Sequence, residues 1–177
     1  MAEDIKNELP AYAFMRRDLE PGLHRLVDVF PHIKESPAVP FISPSPQIRE
    51  VLLDSAMIDI REFDGYAYID VNVPCIVLAV TYYRQGDRRD IYLDLLHETT
   101  HLRQLAEGKE LWDRSLAYVD RPTEIEGYAV AVREGRRLGM TEEDVIRHLT
   151  SPWLTTEDVY RLLANVEAYL GEGAGRV

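Results

Sequence analysis

With 177 residues, 46% of them hydrophobic and 29% charged, the chain has the composition of one ordinary globular domain, long enough to bury a core. A formal net charge of −11 argues against nucleic acid or an anionic membrane surface as its main partner. No apolar run approaches the ~18 residues of a membrane span, the first residues carry no signal-peptide core, and the single cysteine, Cys75, excludes an intrachain disulfide framework, so a cytoplasmic location is expected.

The expected organisation is a single domain, 1–177, in three stretches. Residues 1–46 form a helical N-terminal segment and a proline-rich connector, 47–89 a helix and a small sheet, and 90–177 a long helix with the C-terminal helices. Within the first stretch, residues 11–19 and 23–30 read as two short helices split at Pro21-Gly22. Pro31, Pro37, Pro40, Pro44 and Pro46 then predict an extended surface loop. Residues 47–57 read as a helix with Ile48, Val51, Leu52 and Ser55 on one side.

β-branched and aromatic residues predict strands at 58–61, 66–71 and 75–83. Asp64-Gly65 would turn a hairpin between the first two, and Asn72-Val73-Pro74 separates the last two. The third strand is nearly all apolar, which places it centrally in the sheet. From residue 90 the pattern is helical: 90–107 closed by Gly108, an irregular stretch 109–121, then 123–138 stopped by Gly139. Two more helices, 141–149 and 155–170, open with threonine followed by acids, and 171–177 read as frayed. The fold class is α+β.

The stretch that carries chemistry is Leu93-Asp94-Leu95-Leu96-His97-Glu98-Thr99-Thr100-His101-Leu102. Histidines four apart on a helix lie one above the other, so both imidazoles reach a single ion. Glu98, between them, points beside that ion, where zinc would acidify a water and the carboxylate would take its proton. The bland alternative is a surface helix with two solvated histidines. Leu93, Leu95, Leu96, Leu102 and Leu105 instead wrap the motif in apolar residues, and a buried histidine pair needs a partner. Zn2+ is the simplest one.

A catalytic zinc takes three protein ligands and keeps a position open. Glu124 and Glu126 are the downstream candidates, and helical angles separate them. Tyr128, Ala131, Val132, Gly135, Leu138 and Ile125 fall within about 100° of Glu124, whereas Glu126 falls about 200° away beside Arg133 and Arg137. Glu124 is therefore expected on the buried face as the third ligand. Glu126, the alternative, is expected on the wet face, in a capping box with Thr123. The small residues Ala131 and Gly135 let another helix approach. His24, His32 and His148 read as surface or structural residues.

His97-Glu98-Thr99-Thr100-His101 followed by Glu124 on a second helix resembles the gluzincin pattern. The short helix–connector–sheet–helix order is similar to the minimal zincin fold of the minigluzincins, and the Pro-Thr-Glu-x-Glu segment to uncharacterised metallopeptidases. The resemblance implies peptide hydrolysis, with a sheet strand bordering the cleft and pairing with substrate. That strand is 66–71, or 75–83 if the sheet is ordered differently. It also implies a Tyr, His or Arg assisting zinc at the oxyanion, for which Tyr118, Arg121, Tyr128 and His148 are the candidates. The family often has Asp or Asn where this chain has Tyr128, read here as core before ligand support. Each ligating histidine is expected to hand its outer nitrogen to a backbone carbonyl or a carboxylate, with Asp120 the named candidate. The leading expectation is a zinc metallopeptidase acting on a peptide or protein, with Glu98 as general base. The alternative is a metal-bearing regulatory or interaction protein without turnover, against which the retained Glu98 counts.

Overall fold

The computed structural model describes residues 9–173, so the start of the chain and the last part of the expected frayed end lie outside the described residues. The first expected helix reduces to a 3-10 turn, Ala11–Ala13, followed by an extended strap. Side chains from farther along occupy the strap's carbonyls. Arg84 Nη2 donates to the carbonyl of Leu19 (2.8 Å), and the Tyr83 hydroxyl donates to that of Arg16 (2.7 Å). Carbonyls committed to those donors do not close a helix.

The second expected helix is split between strand β1 (Gly22–Arg25) and the single turn α1 (Leu26–Val29). Gly22–Arg25 is recruited by pairing, Gly22 opposite Ile60 and Arg25 opposite Met57. The proline-rich stretch is not a surface loop either. It holds a 3-10 turn, Ile33–Glu35, and a short helix α2 (Val39–Ile42), and it buries Ile33, Val39 and Ile42. Pro40 sits in the first turn of α2, where no N–H is required of it. Helix α3 (Pro46–Ser55) is capped by Ser45 and turned so that Leu53 enters the core. Ile48 and Val51, on the side that the sequence groups with Leu52, are exposed, and α1 and α2 pack against the helix.

Three further strands, β2 (Met57–Arg61), β3 (Ala67–Asp70) and β4 (Cys75–Ala79), complete a mixed sheet in the order β1-β2-β4-β3. β4 is buried throughout and central, as its apolar run predicts. It separates β2 from β3, so the hairpin expected across Asp64-Gly65 does not form. β2 pairs parallel to β4, and β3 pairs antiparallel across residues 71–74. The strand expected to reach residue 83 stops at Ala79, and helix α4 (Val80–Gln85) follows. That turn delivers Tyr83 and Arg84 to the N-terminal strap.

The C-terminal half follows its sequence signals closely. Helix α5 (Arg88–Ala106) is capped by Asp87, whose side chain accepts from the backbone N–H groups of Arg89 and Asp90, and it ends at Gly108 with φ +75°. α6 (Pro122–Arg137) has proline in its first turn. α7 (Glu142–Leu149) has the Thr141–Asp144 capping box, and α8 (Thr156–Gly173) runs past the expected end at 170. α6 lies against α5, with Ala131 fully buried and Leu93 Cδ1 only 3.2 Å from where a Cβ on Gly135 would stand. One apolar cluster runs from Ala13 to Val166 and ties all three stretches together. Among the described residues no helix is long and apolar enough to cross a membrane. The class is α+β: a small mixed sheet packed on a mostly helical body.

Candidate metal centre

α5 presents His97 and His101 one turn apart on the face that α6 covers, each 6% exposed. Their rings stand edge to face with centroids 4.5 Å apart. Glu124, in the first turn of α6, projects between them. Its Oε2 lies 3.3 Å from His97 Nε2 and 3.4 Å from His101 Nε2. Donor atoms bound at zinc distances around one tetrahedral centre stand roughly 3.3–3.6 Å apart, so both spacings are those of ligands sharing an ion. Glu124 Oε2 is buried and makes no directed hydrogen bond, an arrangement that is costly without a cation nearby.

The charges reflect that convergence. Burial would raise the Glu124 carboxyl, but the two imidazoles overcome it and hold the group far below its ordinary value. Burial and the neighbouring His101 lower His97 to about 4. Burial also acts to lower His101, yet the Glu124 contact and the Glu98 charge prevail and lift it to about 9.

His101 is held from behind by a residue that the motif did not reveal. Its Nδ1 lies 2.7 Å from Gln104 Oε1. Gln104 Nε2 donates to the Thr123 carbonyl (3.1 Å) and to Glu126 Oε2 (2.7 Å). The reverse amide orientation would set the Gln104 oxygen against two acceptors, so its oxygen faces His101. Nδ1 then carries the proton and Nε2 is left for the ion. Asp120, the expected acceptor, is instead paired with Arg161 and Asn165 on α8. The outer nitrogen of His97 has no acceptor among the described residues. The α6 backbone at Gly127 presses on that ring, and a Cβ there would come 3.0 Å from Nδ1, while the Tyr128 ring covers it at 4.2 Å.

Glu126 is neither wet nor a cap. Thr123 turns its hydroxyl to the Leu111 carbonyl, because α6 begins two residues earlier than a Thr123 cap requires. Glu126 instead pairs with buried Arg103 (2.6 Å) and with Lys109 (3.2 Å), away from the histidine pair. Burial would raise its carboxyl, but Gln104, Arg103 and Lys109 keep it below its ordinary value.

The centre opens onto a cleft of about 230 Å³, room for a side chain or two with their water. His97 and Glu98 form part of its lining, with Tyr66 and Ala67 at the start of β3 on one wall. Glu98 belongs to the cleft and not to the three converging ligand atoms. Burial lifts its carboxyl to about 8, with His101 acting the other way. Comparison with protein-family models, curated proteins and solved structures gives no match. The site is read from its own geometry.

Of the residues considered for the oxyanion, Tyr118, Tyr128 and His148 line the cleft. The two tyrosine hydroxyls are 2.9 Å apart, so Tyr128 is both core and site. Arg121 does not line it; its Nε donates to the Asp113 carbonyl. His148, expected at the surface or in a structural role, has its side chain 4% exposed and lines the cleft, because α7 packs against α6 and α8 with that edge toward α5. His24 and His32 lie elsewhere, beside the Glu20 carbonyl and Glu35. The described part of the N-terminal strap is fastened to α4 and does not contribute to the cleft lining. Gln104 and Gly127 carried one faint signal each: three residues past His101, and three past Glu124.

Proposed function

We propose that this chain is a zinc-dependent peptidase of minimal zincin-like fold, hydrolysing peptide bonds with Glu98 as general base. The observation that carries the reading is the placement of Glu124 Oε2 at ligand spacing from both Nε2 atoms, beside a cleft that contains Glu98. His97, His101 and Glu124 would hold the ion, and their donor set of two imidazoles and one carboxylate suits zinc with a position left open. When bound, zinc lowers the pKa of a water toward neutrality and polarises a carbonyl.

The remaining work belongs to the chain's own residues. Glu98 takes a proton from the attacking water and passes it to the departing amine. Burial is the main cause that pushes that carboxyl up to about 8, and positive charge held at the ligand trio favours its ionised, proton-accepting form. Tyr118 and Tyr128 stand at the edge of the same cleft as hydroxyl donors for the charge that develops on the carbonyl oxygen. β3 has an unpaired outer edge along the cleft wall, along which an extended peptide would lie.

The test is cleavage of a mixed peptide library by the zinc-loaded full chain, with a chelated control and the Glu98→Gln variant. Glu98→Gln keeps shape and polarity, so folding and zinc content should survive while turnover falls by about two to four orders of magnitude. Equal inertness of wild type and variant would move the reading to a metal-bearing interaction protein. Equal activity would place the chemistry elsewhere.

A further inference from the structure

One and two turns upstream of Glu98, Asp94 and Asp90 of α5 line the cleft, and His148 of α7 stands among them. The Tyr82 hydroxyl donates to Asp94 Oδ2 (2.6 Å). Asp94 Oδ1 is 3.8 Å from His148 Nε2, and Asp90 Oδ1 is 4.0 Å from His148 Nδ1. Both gaps exceed a hydrogen bond. The His148 side chain is only 4% exposed, and its Nε2 has no hydrogen-bond partner. A buried ring nitrogen and a carboxylate oxygen 3.8 Å apart fit a group lying beside the pair that offers one N–H donor to each. A single metal ion fits less well, because the two carboxylates face different nitrogens of the ring.

The mouth of the same cleft has the complementary surface. Tyr66 is 52% exposed and Trp153 is 64% exposed, and both line the opening. Tyr66 packs edge-on to Tyr82, centroids 5.1 Å apart, so one aromatic wall leads from solvent to Asp94. Aromatic faces leading to carboxylates bind guanidinium and ammonium groups, by cation–π attraction and charge-assisted hydrogen bonds. The cleft's own cation, Arg147, is engaged by Asp144 at 2.5 Å.

We propose that this part of the cleft is a subsite for a cationic side chain, arginine or lysine, of the residue next to the bond under attack. This rests on the peptidase reading and names its substrate class. Asp94 and Glu98 are one helical turn apart, about 6 Å, a step that the four-carbon stem of lysine or the longer arginine spans from a backbone lying over Glu98. Asp94 Oδ1 accepts from the cation, His148 Nε2 accepts a second N–H, and Trp153 and Tyr66 cover its stem.

The test reads binding, so it stands apart from turnover. Trp112→Phe in the full-length chain leaves Trp153 as the sole tryptophan, and its fluorescence reports occupancy. N-acetyl-arginine methylamide is titrated against N-acetyl-citrulline methylamide, which keeps the shape and lacks the charge. The expected result is at least about tenfold tighter binding of the arginine probe, with the preference lost in Asp94→Asn and reduced in Asp90→Asn. Circular dichroism confirms that each variant is folded, and Asp90→Asn decides the matter if Asp94→Asn is not. Equal affinity for the two probes would overturn the subsite. So would binding of glycine methylamide, with its free α-amine, as tight as that of the arginine probe. Arginine preference in a chain whose Glu98→Gln variant shows no loss of turnover would keep the subsite and remove the peptidase reading. Cleavage indifferent to charge would do the reverse.

Discussion

Glu124 and Glu126 stand two residues apart on α6, both turned toward α5, and they meet opposite surroundings. Glu126 is answered by the protein itself: Arg103 at 2.6 Å, Lys109 at 3.2 Å and the Gln104 amide at 2.7 Å. Glu124 meets two imidazole nitrogens at 3.3 and 3.4 Å and no lysine or arginine. Both are partly or fully removed from water, so both need positive charge. For one the chain supplies it. For the other it supplies two more potential ligand atoms, and that difference separates a structural ion pair from a group of donors that could hold an ion. Gln104 joins the two regions, since its amide nitrogen serves Glu126 while its oxygen fixes His101.

The comparison breaks most sharply at Glu124. Glu124→Gln keeps the volume and removes the charged ligand, so zinc affinity measured by competition with a chelator should fall by more than about a hundredfold, beyond the usual loss from a supporting residue. Folding should survive, because the variant removes a buried charge as well as a ligand. A Glu124→Gln chain that binds zinc as tightly as wild type would leave Glu126 or another group as the third ligand.

Gln104→Leu should weaken zinc by about ten- to a hundredfold, the range for a residue that orients a ligating histidine. The same variant leaves Glu126 Oε2 with its Lys109 partner, so its effect on thermal stability should be smaller than its effect on the metal. Glu126→Gln should show the opposite balance. It leaves Arg103 with Glu107 alone, costs about 1–3 kcal/mol in a denaturant titration, and changes zinc affinity by less than about tenfold. If Glu126→Gln lost the metal and kept its stability, the roles assigned to the two carboxylates would be exchanged.

The smallest expected effect lies at the far wall. Backbone and side-chain hydrogen bonds from Thr141, with Arg147, hold the partly buried Asp144 carboxyl at about 2, and this cap starts the helix that carries His148. A depressed folded-state value contributes stability above the ordinary carboxylate range, and that contribution is lost as pH falls toward 2. Asp144→Asn should therefore lower Tm slightly at pH 7, with the difference from wild type shrinking below about pH 4. A difference that grows on acidification would mean that the cap is not what the substitution removes.

Local chemistry made the C-terminal half legible. Its caps and stops (Asp87, Gly108, Pro122, Gly139, Thr141) act within a few residues and stand in the sequence as plainly as in the fold. The helix angles that separate Glu124 from Glu126 are local in the same sense, and they put Glu124 beside the histidines. The N-terminal third was misread because distant partners set it. Gly22–Arg25 is a strand only because β2 is beside it, and residues 80–83 leave the strand only because Tyr83 and Arg84 fasten the strap. The same limit hid Gln104's second role and His148's place in the cleft. Each depends on another element arriving, and no periodicity records that.

Zinc K-edge absorption on the zinc-loaded full chain tests the central claim most directly. His97, His101 and Glu124 as ligands predict one zinc per chain, four-coordinate, with the scattering pattern of two imidazoles, and loss of that spectrum in Glu124→Gln but not in Glu126→Gln. A six-coordinate, all-oxygen spectrum, or one unchanged by Glu124→Gln, would contradict it.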